Sequence, residues 1–321
     1  MDRFSAMALL VATVDCGSFS GAARKLDLPI ATVARKIGEL EASLNTRLLL
    51  RTTRTMALTE AGIAYVEACR RILDAVDDAE REVAGEYLEP RGDLVITAPM
   101  VFGRLNIVPL SAHFLQLYPD VVIRLNLADR VMNLPNEHID LAIRVGALPD
   151  SSLVSTRLGS CRRVVCASPA YLDARTRPQE PDDLVNHVCV TFESLAAGRP
   201  WTFRPRDSRD AQYHPPKSRL VVTTADAAIS AAMEGLGVAH VLSYQVAQLV
   251  RDGRLEIVLQ RFEPAPIPIN LVYLNKAMLP AKIRKFLDIA VPSLRATLAK
   301  NDEWVSSPGI GGRSLAASLH A

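Results

Sequence analysis

The segment Phe19 to Gly38, F-S-G-A-A-R-K-L-D-L-P-I-A-T-V-A-R-K-I-G, restricts the chain more than any other. Small apolar residues (Ala22, Ala23, Leu26) recur at helical spacing in its first half, with Ser20 placed to cap. Asp27, Leu28 and Pro29 break that run, and a second helical pattern begins at Ile30. Two short helices joined across so few residues form a helix-turn-helix, which offers its second helix to the DNA major groove.

The second helix can be divided into faces. At about 100° per residue, Val33, Ile37 and Leu40 fall on one side, as burial requires. Ala31, Ala34, Arg35 and Gly38 lie opposite, three of them small enough for close approach to base edges. Arg35 projects from the middle of that face, and arginine is the side chain best suited to a bidentate contact with guanine. Lys36 stands at the margin, where a lysine meets phosphate. A solvated arginine is the plain alternative for Arg35 alone; the surrounding pattern favours the reader.

Charge supports this placement. The chain of 321 residues carries a formal net charge of only +2, but the charge is not spread evenly. From Phe19 to Arg54 seven basic residues face three acidic ones, whereas from Glu60 to Glu89 three basic residues face nine acidic ones. A local positive patch attracts nucleic acid even when the total is near zero. Half the residues are hydrophobic (49%), a globular balance that suits two or three domains at this length.

Before the helix-turn-helix, Arg3 to Asp15 reads as an apolar-rich helix ended by Gly17. After it, Arg47 to Leu58 reads as two short strands around a basic turn, a wing. The candidate DNA contacts are therefore Ser20, Ala31, Thr32, Ala34, Arg35 and Lys36, with Arg51, Thr52 and Arg54 on the wing. Thr59 caps a long helical stretch reaching about Tyr87, roughly 40 Å at 1.5 Å per residue. Ile63, Val66, Cys69, Leu73, Val76, Ala79 and Val83 form a narrow apolar stripe along it, which predicts pairing with a second copy.

Glu89-Pro90-Arg91-Gly92 reads as a hinge. Beyond it, strands are expected at Leu94 to Ala98, Val121 to Ala128, Asp140 to Val145, Arg162 to Ala167, His187 to Phe192, Leu220 to Thr224, Val238 to Leu242 and Ile267 to Leu274. Helices are expected at Gly103 to Tyr118, Asp226 to Glu234, Tyr244 to Arg251 and Ala281 to Leu298. Such alternation predicts mostly parallel sheets in two lobes with a cleft between them. The tail from Asn301, rich in Ser and Gly, reads as disordered. The expected organisation is α+β and multidomain: a winged helix-turn-helix over 1–59, a linker helix over 60–89, a two-lobed α/β domain over 90–300 and a tail over 301–321.

There is no G-x-S-x-G, Walker loop or H-E-x-x-H, and the six histidines lack zinc-site spacing, so neither enzyme nor cofactor is expected. No apolar run is long enough for a bilayer, and M-D-R-F-S-A-M does not open a signal peptide, so a cytoplasmic protein without a membrane partner is expected. Five scattered cysteines argue against disulfides; a redox switch through Cys161 and Cys166 is the sensor alternative. A rival of another class is a solute-binding or enzymatic α/β protein whose N-terminal segment only dimerises.

Taken together, G-S-F-S-G-A-A-R-K-L (Gly17 to Leu26), R-L-L-L-R-T-T-R (Arg47 to Arg54) and L-T-E-A-G (Leu58 to Gly62) resemble the LysR-type transcriptional regulators. I-D-L-A-I-R-V-G (Ile139 to Gly146), D-S-S-L-V (Asp150 to Val154) and V-C-A-S-P-A-Y-L (Val165 to Leu172) extend the resemblance. It implies double-stranded DNA and a small-molecule effector as partners, a homodimer that commonly assembles into a homotetramer, and RNA polymerase as a further candidate. It also implies a C-terminal domain like periplasmic binding proteins. Family members often carry a hydroxyl residue where Pro29 stands, a polar residue at Ile30 and serine at Ala34. Losing the hydroxyl cap is worth about 1 kcal/mol unless Asp27 replaces it. The resemblance places the effector between the lobes, at Pro99, Met100, Val101 and Phe102, where the backbone N–H groups that follow the proline are expected to hold a carboxylate. The absence of the usual hydroxyl here weakens that capture. Thr191, Phe192, Ala225 and Asp226 are expected across the cleft.

Overall fold

A computed structural model describes residues 2–51, 56–83, 89–148, 153–192, 201–204, 212–214, 218–274 and 279–306. The chain divides into two compact units, Met1–Asp93 and Leu94–Ala321.

In the first unit, α1 (Arg3–Asp15) is capped by Asp2, whose carboxylate accepts the N–H groups of Phe4 and Ser5 at 3.1 and 3.2 Å. The cap of α2 (Phe19–Lys25) is Ser18, not Ser20: the Ser18 hydroxyl accepts the Gly21 N–H at 3.0 Å. Ser18 holds the extended backbone a cap requires, which leaves Ser20 inside the first turn and exposed. The corner that follows is a Schellman closure. Asp27 takes a left-handed φ of 51°, and the Leu28 N–H returns to the Ala23 carbonyl at 2.9 Å. Helix α3 (Ile30–Ser43) starts at Pro29 with no side-chain cap, so Asp27 does not replace the missing hydroxyl.

A short antiparallel wing, β1 (Leu49–Arg51) with β2 (Met56–Leu58), leads into α4 (Glu60–Val83). Apolar side chains of α1, α2 and α3 close on one another and on Leu48, Leu49 and Val66 to form the core of this unit. Glu41 joins α3 to the wing: its Oε1 accepts the N–H groups of Leu48 and Leu49 at 2.8 and 3.0 Å. Thr59 caps α4 as expected, accepting the Gly62 N–H at 2.9 Å while its hydroxyl donates to the Arg47 carbonyl at 2.8 Å. The expected stripe of α4 is divided. Val66 and Cys69 are buried in this unit, and Arg70 forms an ion pair with Asp15 of α1. Ile63 is exposed, and the side chains of Ala79 and Val83 lie outside the described residues.

The second unit holds two five-stranded sheets. The first, in order β4-β3-β5-β14-β6, uses β3 (Gly92–Ala98), β4 (Val121–Leu127), β5 (Leu141–Val145), β6 (Leu153–Cys161) and β14 (Ile267–Leu274). The second, in order β11-β8-β12-β7-β13, uses β7 (Arg163–Ala167), β8 (Cys189–Phe192), β11 (Ser218–Val222), β12 (Val238–Leu242) and β13 (Glu256–Val258). A small hairpin of β9 (Trp201–Phe203) and β10 (Gln212–His214) accompanies the second sheet. The sheets are mixed rather than mostly parallel. β14 runs antiparallel to β5 and β6, and β7 antiparallel to β12 and β13. The chain crosses between the lobes at Arg162 and returns after Glu263, and strands laid down on such crossings run against their neighbours.

After β3, the helical segment begins at Met100, three residues earlier than expected: α5 (Met100–Phe102), a π-helical turn (Gly103–Ile107) and α6 (Val108–Leu117). The second lobe carries α7 (Pro169–Asp173), α8 (Ala225–Met233) and α9 (Ser243–Arg251). Helix α10 (Ala281–Ser306) overturns the expected tail boundary, since residues 301–306 are helical and Val305 is buried in the second lobe. Phe286, Ala290, Leu294 and Leu298 of the same helix are buried in the first lobe. The remaining tail, 307–321, lies outside the described residues.

Candidate nucleic-acid interface and ligand cleft

Helix α3 presents two very different faces. Val33, Ile37 and Leu40 are buried, and Ala31, Arg35 and Glu39 stand exposed on the opposite side. Thr32, Ala34, Lys36 and Gly38 are intermediate, and a Cβ added at Gly38 meets nothing within 4 Å. The outward strip is therefore lean, with one long cation rising from it. That cation is engaged: Arg35 Nη1 donates to Glu39 Oε1, one helical turn on. Glu39 is not singled out from the sequence above, although its spacing of four from Arg35 carries the signal. On the wing, Arg51 ends β1, and Thr52 and Arg54 lie outside the described residues.

Between the lobes lies a cavity of about 380 Å3. The first lobe contributes Pro99, Asp129, Arg130, Ile143, Arg144 and Ile267 to its walls, and the second contributes Arg163, Phe192, Ala225, Leu242, Tyr244 and Gln245. Of the expected ligand residues the cleft brings together Pro99, Phe192 and Ala225. The others are placed elsewhere. Val101 and Phe102 are core residues, Phe102 meeting the Tyr244 ring edge-on at 5.2 Å. The Met100 N–H, expected to hold a ligand carboxylate, donates to Asp129 Oδ1 at 3.0 Å. Thr191 is hydrogen-bonded to Ser218, hydroxyl to hydroxyl, at 2.8 Å. Asp226 forms an ion pair with Arg104 of the π-helical turn at 2.8 Å, from one lobe to the other.

Arg144, Arg163, Asp129 and Tyr244 were not anticipated, because two strands, a bend and a helix far apart in sequence deliver them to one cavity. Arg144 donates to the Met132 carbonyl, and burial lowers its pKa from the ordinary value. Burial, with Cys161, Asp129 and Asp226 nearby, pushes the Tyr244 phenol up, so it stays protonated as a hydrogen-bond donor. The cysteine alternative loses its chemistry: burial pushes the Cys161 and Cys166 thiols up to about 12, and the thiolate is the reactive form. These two side chains also lie in the cores of different lobes. Among the described residues no three His, Cys, Asp or Glu side chains gather as a metal site, and no single helix is long and apolar enough to cross a membrane.

Comparison with known proteins gives the same division. Residues 4–63 match the family described as "Bacterial regulatory helix-turn-helix protein, lysR family", and residues 88–295 match "LysR substrate binding domain". An HTH-type transcriptional regulator of Xanthomonas campestris pv. campestris is 35% identical over 288 residues, 89% of this chain and 84% of the relative. The full-length virulence activator AphB of Vibrio cholerae is similar in structure, with a TM-score of 0.58 and 28% identity over 90% of this chain and 99% of its own. CrgA of Neisseria meningitidis has a TM-score of 0.58 and 30% identity over 90% of this chain and 98% of its own.

Proposed function

The chain belongs to the LysR family of transcriptional regulators, and on that footing we propose how its parts divide the work. It is a sequence-specific DNA-binding regulator whose activity responds to a small molecule in the C-terminal domain. Helix α3 enters the major groove with Arg35 as its base reader, supported at the edges by Ser20, Ala31, Thr32, Ala34 and Lys36. Arg51, Thr52 and Arg54 grip the backbone beside it. The observation that carries this reading is the lean outward strip of α3, opposite a fully buried face and raising a single arginine. Ile30 and Ala34 supply apolar contact to thymine methyls where family members often place hydrogen-bonding groups, so DNA shape shares in the selection.

Self-pairing falls to a face of α4 that α1 leaves accessible. Ala61, Tyr65, Ala68, Ile72 and Ala75 follow alternating steps of four and three and are exposed or half-buried. Assembly of such dimers into tetramers and contact with RNA polymerase extend the same reading, in the cytoplasm where the duplex is available. The relatives are transcriptional regulators, and we read this chain as non-catalytic.

The effector occupies the cleft between the lobes. Asp129 already takes the Met100 N–H, so an anionic group on the ligand turns instead toward Arg144 and Arg163, with its apolar body against Phe192 and Tyr244. A ligand present at a hundred times its Kd adds about 2.7 kcal/mol to the stability of the C-terminal unit. Thermal melts against a metabolite panel, followed by footprinting with each hit, check this. Ligands that raise the melt and leave the footprint unchanged would remove the regulatory role.

Footprinting and gel shifts of the full chain on its own upstream intergenic DNA test the DNA reading. Arg35→Ala is expected to weaken specific binding by about 1–3 kcal/mol and relax preference at one base pair. Equal weakening on every duplex would remove the base-reading role. Arg54→Ala is expected to weaken all duplexes alike and reduce the salt slope by about 1. An unchanged slope would take the wing out of the interface.

A further inference from the structure

We propose that Glu39 is a positioning residue for sequence reading, holding the Arg35 guanidinium in the orientation that meets a base. The inference rests on the base-reading role given to Arg35 above and adds a second residue to it. Arg35 Nη1 donates to Glu39 Oε1, and the two side chains are 64% and 43% exposed on the strip that faces outward. With Nη1 engaged by Glu39, Nε and Nη2 are left as a second edge of the guanidinium, a fork of two donors on a side chain that is mostly exposed. Two donors on one rigid edge are what a bidentate contact with the O6 and N7 atoms of guanine requires.

Three features set this pair apart from an ordinary surface ion pair. An arginine followed by a glutamate four residues later is the weaker order for helix stability, so support of α3 does not account for it. Glu39 lies in the C-terminal half of α3 (Ile30–Ser43), far from the first turn where the macrodipole favours an acid, so the helix dipole does not account for it either. It also puts a negative charge on the face meant to approach a polyanion, which opposes binding unless the charge has an engaged partner. No large side chain stands beside Arg35 on that face, whose other members are Ala31, Ala34 and Gly38. Without Glu39 a long, freely rotating arginine must be ordered entirely at the moment of binding.

The test measures binding of the full-length protein to its footprinted operator duplex and to single-base-pair variants of it. Wild type, Arg35→Ala, Glu39→Gln, Glu39→Ala and the double alanine variant are compared at two salt concentrations. Glu39→Ala is expected to lower discrimination about three- to tenfold at the base pair that Arg35 reads. Glu39→Gln, which keeps an acceptor oxygen, is expected to recover part of the loss, and the double variant to discriminate no worse than Arg35→Ala. Glu39 is exposed, so its variants are expected to melt with the wild type, separating positioning from folding.

If Arg35→Ala relaxes one base pair and Glu39→Ala relaxes none, the positioning role is overturned while the reading role stands. If Arg35→Ala relaxes no base pair, the reading role itself is overturned, and the positioning role falls with it. Uniform tightening on every duplex by Glu39→Ala would reduce Glu39 to simple repulsion. A loss at a different base pair, additive with Arg35→Ala, would make Glu39 a reader in its own right. Each of these last two results overturns positioning.

Discussion

Gly62→Ala is expected to abolish operator binding by unfolding the N-terminal unit, at about 3 kcal/mol or more, above the usual overpacking range because a hydrogen-bonded carbonyl must also move. A Cβ at this position would lie 2.0 Å from the Leu48 carbonyl oxygen and 3.1 Å from Leu58 Cδ2. The obstacle is backbone, and that carbonyl is already committed, accepting the Thr59 N–H at 3.0 Å. Moving it separates the wing from α4 and breaks the junction where Thr59 also binds the Arg47 carbonyl. Both tryptophans, Trp201 and Trp304, belong to the C-terminal unit, so their fluorescence reports on that unit alone. In Gly62→Ala the fluorescence melt should match wild type, while DNA binding and part of the helical circular dichroism are lost at lower temperature. For a unit of this size each kcal/mol lowers Tm by roughly 4–8 °C, so a shift beyond 10 °C is expected. A variant that melts and binds as wild type does would show that the wing yields without strain.

The same residue shows how far the sequence could be read. Gly62 stands three residues after the Thr59 cap, where a full capping box has glutamate, but the reason for glycine is a carbonyl 14 residues back in the chain, which no local pattern reports. Local patterns did place α1 at Arg3–Asp15 and the strands Val238–Leu242 and Ile267–Leu274 residue for residue, because apolar spacing and flanking breakers suffice there. They missed β6 (Leu153–Cys161), an edge strand whose Ser155, Thr156, Arg157 and Ser160 leave no apolar run or clean alternation. The stripe of α4 was visible but not its occupant, since Val66 and Cys69 pack within their own unit. Reading the outward face of α3 needed only helical periodicity. The cleft could not be read this way, because Asp129 and Arg144 meet Arg163 and Tyr244 only after the chain has crossed from one lobe to the other.

Arg162→Ala is expected to destabilise the C-terminal unit by about 3–5 kcal/mol at neutral pH, because it leaves a carboxylate buried without its partner. Arg162 Nη1 donates to Glu263 Oε2 at 2.8 Å, with side-chain exposures of 19% and 10%. Among the described residues the other oxygen, Oε1, is buried with no hydrogen-bond partner. Burial raises the Glu263 pKa above the ordinary carboxylate value, and the Arg162 charge opposes that rise. Removing Arg162 therefore raises it further. A carboxyl whose folded pKa lies above its unfolded value is no burden below the unfolded pKa, where it is neutral in both states. It destabilises progressively as pH rises through the folded value. The stability difference between variant and wild type should therefore be smallest near pH 4 and grow toward pH 7, as urea unfolding followed by tryptophan fluorescence can show. The effect reaches beyond one pair. Arg162 Nε donates to Asp302 at 3.2 Å and Nη2 to Ser306 at 3.2 Å, and its backbone N–H donates to the Ser243 hydroxyl at 3.0 Å. One guanidinium thus ties the outward crossing, the returning crossing at Glu263 and the end of α10 where the lobes join. A difference independent of pH would mean that Glu263 is not charged in the fold and that Arg162 acts only through its contacts with α10.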